Sequence, residues 1–261
     1  MSKDIGRGFF LFLFINFLKK KRGKKMIIGN SINIDFSRVW EWIPTFLDGT
    51  IVTIVLSLTT VFIGSFIGLF VVLMRMSDFK ILNGIASLYT NIVRGTPVLL
   101  QLFLWLYGFP MIGLSLTGLD FLGGTYGSRE FITAVVALGI NSGAYVSEIL
   151  RGGLEAVDKG QIEAGRALGL SQRETMFSVV IPQAIRTVLP GLGNEFITMI
   201  KESSIVSTVG VFDVMYTSNI VKSSTYSIFE PLIVVGVIYY ILTYSLSYLM
   251  KRLEKRLNTY A

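Results

Sequence analysis

The chain has 261 residues, of which 52% are hydrophobic and only 16% are charged, and its mean hydropathy is +0.62. A soluble domain carries about 25% charged residues, so this much apolar surface needs lipid to cover it. The sequence holds neither Cys nor His, which excludes disulfides and thiolate metal sites and removes the commonest general base. The net charge of +7 resides in residues 1–25, which hold eight Lys/Arg and one Asp. A basic tail is not a stripe that follows a phosphate backbone, so we expect no nucleic-acid partner.

Residues 1–48 are predicted to be an N-terminal extension. Within them, residues 8–18 form an apolar run that is too short to span a membrane. The basic cluster after this run is a poor cleavage site for a signal peptide. We therefore expect either that translation begins at Met26 or that residues 1–25 are an extension particular to this chain. The intact mass of the native protein would distinguish the two.

Five apolar stretches predict an all-α integral membrane protein with five spans. Three are uncharged runs of about 20 residues or more, the usual length of a membrane helix. The fourth in chain order is weaker, because it contains Glu195, Lys201 and Glu202. In chain order, the stretches cover residues 49–74, 95–119, 131–147, 189–212 and 231–250.

Positive charge orients these spans. If the C-terminus is cytoplasmic, the inside segments 75–88, 148–188 and 251–261 hold 11 Lys/Arg, whereas the outside segments hold three. The excess of Lys and Arg in cytoplasmic loops favours this orientation, with the basic N-terminal cluster as the exception. We therefore expect a multi-pass protein of the plasma membrane whose 148–188 loop and C-terminus are cytoplasmic.

The 148–188 loop carries helix signals. Asp158 followed by Gln161 predicts a capped helix start, and a short helix over about 159–168 would stop at Gly169. A loop with such signals is an ordered structure, not a slack linker.

A second helix is predicted directly afterwards. Ser171 and Glu174 form a capping-box pattern, and the helix that follows is expected to end near Pro182, since proline lacks the backbone N–H. Two ordered helices in one cytoplasmic loop indicate a docking surface.

This loop resembles the EAA loop of ABC importer permeases. The pattern Glu-Ala-Ala, a later Gly, then Ile and Pro is matched by Glu163 and Ala164, by Gly169, and by Ile181–Pro182. The chain departs from the pattern at Gly165, where Ala is usual, and this change loosens the short helix by about 1 kcal/mol. Residues 90–110, 141–153 and 201–210 further resemble the polar amino-acid branch of that family. The resemblance covers residue 49 to the C-terminus and implies a permease domain over 49–261, with a coupling loop at about 155–185.

The resemblance implies a permease subunit of an ABC importer that moves a polar amino acid into the cytoplasm. It implies two ATPase subunits, an external substrate-binding protein and a second permease copy, identical or similar. The sequence has no Walker A motif, so ATP and Mg²⁺ are expected on the ATPase, and this chain is expected to be no enzyme and to hold no cofactor. The residues implied in ATPase coupling are Gly160, Glu163, Ala164, Gly165, Leu168 and Gly169. Glu163 also fits a plain solvated carboxylate near a helix start.

Polar and helix-breaking residues inside the spans are candidates for a substrate path, because ionisable groups in a membrane face the protein interior or water. Each group has a structural alternative: a packing kink at 94–97, contacts between helices at 141–148, and internal ion pairing at 194–202. The candidates are Gly95, Thr96, Pro97, Gln101, Asn141, Tyr145, Glu148, Asn194, Glu195, Thr198, Lys201 and Glu202.

Two other functions compete with the importer. An ion-coupled secondary transporter or channel would use Glu195, Lys201 and Glu202 as a relay and need no ATPase. Such transporters often contain internal repeats, and the sequence shows none. A membrane scaffold without transport is disfavoured, since the intramembrane charges would be costly there.

Overall fold

The computed structural model describes residues 26–28 and 32–258. A short antiparallel hairpin comes first: β1 (Met26–Ile28) pairs with β2 (Ile32–Ile34). Regular structure from residue 35 onward in the described chain is helical. The all-α prediction is therefore confirmed for this part, whereas the hairpin was not anticipated. The predictions made for residues 1–25 lie outside the described residues.

The helices are defined as follows. In chain order they are α1 (Ser37–Trp40), α2 (Ile43–Arg75), α3 (Lys80–Arg94), α4 (Val98–Phe103), α5 (Gly124–Gly127), α6 (Arg129–Glu155), α7 (Lys159–Ala167), α8 (Gln172–Thr175), α9 (Ile181–Glu202), α10 (Val214–Thr225) and α11 (Phe229–Asn258). Two π-helical turns, Leu104–Gly108 and Met176–Val180, continue α4 and α8. The 3₁₀ turns are Phe109–Ile112, Asp120–Leu122 and Ser203–Val209.

Four elements of the described chain are long and apolar enough to cross a membrane: α2, α6, the continuous helical segment Gln172–Val209, and α11. A fifth span results if α3 and the segment Val98–Ile112 are counted as one broken element, bent by 104°. The predicted stretches 49–74, 131–147 and 231–250 lie within α2, α6 and α11. Helix α2 begins at Ile43, ahead of the predicted domain boundary at residue 49.

The second predicted span needs correction. Residues 95–119 do not form one helix, because helical structure ends at Ile112 and a separate helix, α3, precedes the bend. Most of α3 had been assigned to the inside segment 75–88. The span was predicted from an uncharged run of residues. Arg94 bounds this run at its N-terminal side, so the run excludes α3, of which Arg94 is the last residue.

The predicted 148–188 loop is also shorter than expected. Helix α6 continues to Glu155, and the helix that begins at Gln172 does not stop near Pro182 but runs on through α9. The π-helical turn before Pro182 explains this, since the Ile181 amide donates to the Met176 carbonyl and the register changes just ahead of the proline. Pro182 then occupies the first turn of α9, where its missing N–H is tolerated.

Glycines allow α2 and α6 to pack closely. A Cβ atom on Gly64 would lie 2.8 Å from the Ser142 Cβ, and one on Gly143 would lie 2.6 Å from Ile67 Cγ2. Small residues permit this close approach of helices in a membrane protein. A fully buried core forms around it, with Leu56, Leu102, Leu138 and Met199 from α2, α4, α6 and α9. The core thus holds the bend and α9 against the central helix α6.

Candidate functional site

Helix α7 is fixed at both ends by its own sequence. The Asp158 carboxylate accepts a hydrogen bond from the Gly160 amide at 2.6 Å, so Asp158 is the predicted N-cap. Gly169 ends the helix with φ +86°, a left-handed conformation that favours glycine. The Leu170 amide then donates to the Gly165 carbonyl at 3.1 Å. The predicted boundaries of about 159–168 match the observed helix closely.

The predicted capping box follows directly. The Glu174 amide donates to Ser171 Oγ at 3.3 Å, and the Ser171 amide donates to the Glu174 carboxylate at 2.8 Å. Gly165 is buried against this turn, because a Cβ atom there would lie 3.2 Å from Thr175 Cγ2. The small size of Gly165 therefore serves a contact within the chain, although the resemblance had implied this residue in ATPase coupling.

The other residues expected to contact an ATPase lie on the surface. Gly160, Glu163, Ala164 and Gly169 are exposed. Leu168 is 83% exposed, although it is a large apolar side chain at the end of a polar helix. We call residues 158–175 the coupling segment. Its free surface combines an acidic, an apolar and several small residues.

The inner side of the coupling segment is packed onto two long helices. Ile162 of α7 contacts a buried cluster formed by Val157, Val180 and Ala184. Gly153 brings α6 against α9, since a Cβ atom there would lie 2.4 Å from the Val188 Cγ2. Ile162 thus joins α7 by direct side-chain contact to the start of α9, and α9 in turn packs against α6.

The break between α3 and α4 forms a second candidate region. Pro97 interrupts the helix, and the carbonyl of Val93 accepts a hydrogen bond from Gln101 Nε2 at 2.7 Å. The same amide nitrogen lies 2.9 Å from Thr96 Oγ1. Gln101 thus holds the bent backbone of residues 93–97 in place.

Helix α6 presents one polar face to this break. Asn141 Nδ2 donates to Gln101 Oε1 at 3.1 Å, and the Arg94 guanidinium lies 5.4 Å from the centre of the Tyr145 ring. Glu148 lies one turn further, with its carboxylate 3.8 Å from Arg94. The spacing i, i+4, i+7 places Asn141, Tyr145 and Glu148 on one face of α6, and their contacts agree with it.

Glu148 also has two partners that were not identified from the sequence. Its carboxylate forms ion pairs with Arg75 at the end of α2 and with Arg151 one turn on in α6, the latter at 2.7 Å. Arg151 in turn pairs with Glu155 at 2.6 Å. The i, i+3 and i, i+4 spacings of Arg151 are a readable signal, whereas the approach of Arg75 depends on how α2 packs.

The polar stripe of α9 is divided between interior and surface. Glu195 is 8% exposed and accepts a hydrogen bond from Ser142 Oγ of α6 at 2.8 Å. Thr198 and Glu202 are half-buried, and Asn194 and Lys201 are exposed. Apart from Glu195, the buried side of the helix is apolar, with Ile197, Met199 and Ile200.

Lys201 does not pair with a carboxylate in this part of the chain. Within residues 35–119 and 121–257, no Asp or Glu oxygen lies within 4 Å of its ammonium group. Its charge nevertheless acts on the adjacent Glu202 carboxylate, so the structural alternative of internal charge balance stays open. A charged, exposed residue in a span does not face lipid, so this side of α9 faces another protein surface or water.

The chain matches known transport proteins over most of its length. The family described as "Binding-protein-dependent transport system inner membrane component" matches residues 60–259. The arginine transport system permease protein ArtQ of Bacillus subtilis is 38% identical over 87% of this chain and 99% of its own length. The probable glutamine ABC transporter permease protein GlnM of Bacillus subtilis is 39% identical over 86% of this chain and 98% of its own length.

Solved structures of ABC transporters are also similar to this chain. A chain of a crystal structure titled as an amino acid ABC transporter with histidines is 42% identical, with a TM-score of 0.79, over 86% of this chain and all of that one. A chain of the MetNI methionine ABC transporter, at 20% identity and a TM-score of 0.67, shares the fold over 83% of this chain. The protein therefore belongs to the family of binding-protein-dependent transport system inner membrane components.

Proposed function

We propose that this chain is the permease subunit of an ABC importer that moves a polar amino acid into the cytoplasm. It works as a dimer, with itself or with a similar chain, together with two ATPase subunits and an external substrate-binding protein. The observation that carries the proposal is the end-to-end match to ArtQ and GlnM, whose names state arginine and glutamine transport. The substrate class follows from these relatives, and the ATP-driven mechanism from the transporters that they belong to.

The proposed location is the plasma membrane, with the coupling segment and the C-terminus in the cytoplasm. The distribution of Lys and Arg supports this orientation. The coupling segment connects the end of α6 to the start of the Gln172–Val209 helix. This helix and α11 are consecutive spans that cross the membrane in opposite directions, so the coupling segment lies on the same side as the end of α11. We accordingly place the start of α11, and helix α10 before it, on the outside.

In this orientation the coupling segment carries the ATPase contact. Glu163, Ala164 and Leu168 form its exposed surface, together with Gly160 and Gly169 at the two ends of α7. Closure of the ATPase subunits moves α7. Since α7 packs on Val180 and Ala184, the motion reaches α9 and opens or closes the substrate path.

We propose that the substrate path runs between the broken helix and the polar stripe of α9. The mixed charges of Glu195, Lys201 and Glu202 suit the two charges of an amino-acid zwitterion. Gln101 is engaged at both ends of its amide, so it shapes the path at Gly95, Thr96 and Pro97. The remaining side chains assigned to the path are Asn141, Tyr145, Glu148, Asn194 and Thr198.

The ion-coupled alternative has less support. The matching family is described as dependent on a binding protein, and an ion-coupled carrier does not need one. The deciding measurement is uptake of radiolabelled arginine and glutamine by proteoliposomes that contain the permease, its ATPase and the binding protein. Uptake that requires ATP supports the importer, and uptake driven by an ion gradient without ATP contradicts it.

A co-purification experiment tests the coupling segment. In detergent, wild-type permease is expected to retain the ATPase, and Glu163→Lys combined with Leu168→Asp is expected to lose it. Leu114→Asp is the matched control, because Leu114 is also exposed, at 60%, but lies in the connection that we place outside. Equal ATPase retention by the double variant and the control would contradict the docking role.

A further inference from the structure

Helix α10 has a polar free side. Its opposite side is buried, with Val214, Thr217 and Val221 packed inside the chain. The exposed side carries Asn219 and Lys222, followed by Ser223 and Ser224. A helix side that faces hydrocarbon carries apolar residues, so this side of α10 faces water.

The start of α10 is held firmly. Asp213 is fully buried and accepts a hydrogen bond from the Tyr216 amide at 2.7 Å, as an N-cap does. The Tyr239 hydroxyl of α11 donates to the other carboxylate oxygen at 3.4 Å, and the Val214 amide donates to Thr53 of α2 at 3.1 Å. The polar surface of α10 is therefore presented in a fixed position, before any partner arrives.

The end of α10 carries an aromatic residue in a strained conformation. Tyr226 has φ +56°, and no other residue except glycine has a positive φ in the described chain. Its amide donates to the Lys222 carbonyl at 3.0 Å, a helix ending at which glycine is usual. The Tyr226 side chain is nevertheless 90% exposed, so packing within the chain does not explain why tyrosine stands there. Backbone strain of this kind is typical of binding surfaces, and exposed tyrosines dominate many protein contacts.

A cavity of about 330 Å³ opens beside this tyrosine. It is lined by Asn219, Lys222, Ser223, Tyr226 and Ile228. The cavity thus offers a cationic group, polar hydrogen-bonding groups and two apolar side chains at one place. Tyrosine is enriched in protein–protein contacts, and polar groups such as Asn219, Lys222 and Ser223 are typical of the rim around them, so the cavity could receive a side chain from a partner.

The five cavity residues form what we call the α10 surface. We propose that the α10 surface docks the external substrate-binding protein. The inference rests on the proposed function, because the orientation given there places α10 outside the membrane. The occupant is a protein rather than lipid, since the exposed side of α10 is polar. Lys222 fits an acidic side chain of the partner, and Tyr226 provides the aromatic anchor.

The test measures how the binding protein stimulates ATP hydrolysis. The permease–ATPase complex is placed in nanodiscs, and the rate is measured against the concentration of the substrate-loaded binding protein of the same system. Tyr226→Gly removes the ring but tolerates the positive φ, so folding is preserved. The half-stimulating concentration is expected to rise by at least about tenfold for Tyr226→Gly, as for an interface hot spot. Lys222→Glu is expected to raise it by about threefold or more, with the largest effect at low salt.

The matched control is Phe79→Ala, which removes another exposed aromatic ring, 74% exposed, from the connection between α2 and α3 on the cytoplasmic side. It is expected to leave the half-stimulating concentration unchanged. The inference would be overturned if Tyr226→Gly had the same half-stimulating concentration as the wild type. It would also be overturned if the shift in Tyr226→Gly depended on lipid composition alone, because the ring would then be a lipid anchor. If the wild-type complex is not stimulated at all, the proposed function itself fails, a result distinct from stimulation that is insensitive to Tyr226.

Discussion

Removal of the Gln101 amide is expected to destabilise the bend between α3 and α4. Gln101→Leu keeps a similar volume but leaves the Val93 carbonyl and the Asn141 amide without their partner. Asn141 is 3% exposed, so its amide is not rescued by water. A buried polar group left unsatisfied costs about 1–3 kcal/mol, and hydrogen bonds in membrane proteins contribute somewhat less on average. Since two groups lose their partner, we expect the free energy of unfolding to fall by about 2–3 kcal/mol in total.

A double-mutant cycle isolates the contact between the two side chains. Asn141→Leu alone orphans Gln101 Oε1, whereas the double variant removes both ends of the Asn141–Gln101 bond and is expected to be less destabilised than the sum of the single variants by about 0.5–1 kcal/mol. The assay is reversible unfolding in detergent, followed by tryptophan fluorescence. A loss below about 0.5 kcal/mol in Gln101→Leu would refute the reasoning, because it would mean that water or a relaxed backbone satisfies the same groups.

Three further predictions follow from the glycines and from Asp213. Gly153→Leu is expected to separate α6 from α9 and to lower the free energy of unfolding by about 1–3 kcal/mol. Gly152 has open space around it, so Gly152→Ala should be neutral or stabilising by up to about 1 kcal/mol. Thermal unfolding distinguishes the two variants. Gly169→Ala is expected to cost about 1–2 kcal/mol because of its positive φ and to weaken ATPase co-purification, while Gly236→Ala in α11 should do neither. Burial raises the pKa of Asp213, between the candidate spans, from 3.8 to about 7. Since the folded state then binds the proton more tightly than the unfolded state, the stability that it contributes is lost as the pH rises from about 4 through about 7, and Asp213→Asn should remove this slope.

Local signals allowed much of the coupling segment to be predicted from the sequence. The ends of α7 are set by Asp158 and Gly169, which act on the backbone within a few residues, and the Ser171 capping box is equally local. Hydropathy likewise located α2, α6 and α11, because long uncharged runs have one stable environment.

Features that depend on packing could not be predicted in this way. The continuation of the helix through Pro182 depends on a π-helical turn that no residue type announces. The inward orientation of Gly165 depends on the position of Thr175, and the ion pair between Arg75 and Glu148 depends on the approach of α2 to α6. The 104° bend was anticipated only as a kink, since Pro97 predicts a break but not its angle.

The uninterrupted helix Gln172–Val209 has a mechanical consequence. At 1.5 Å per residue it is roughly 57 Å long, and its contact with Gly153 at Val188 divides it into arms of roughly 24 and 31 Å. A rigid rotation of roughly 10° about that contact would shift the Val209 end by roughly 5 Å and the Gln172 end by roughly 4 Å in the opposite direction. The segment is then a lever with its fulcrum nearer the Gln172 end, so that a push at that end becomes an opposite and slightly larger displacement at the Val209 end.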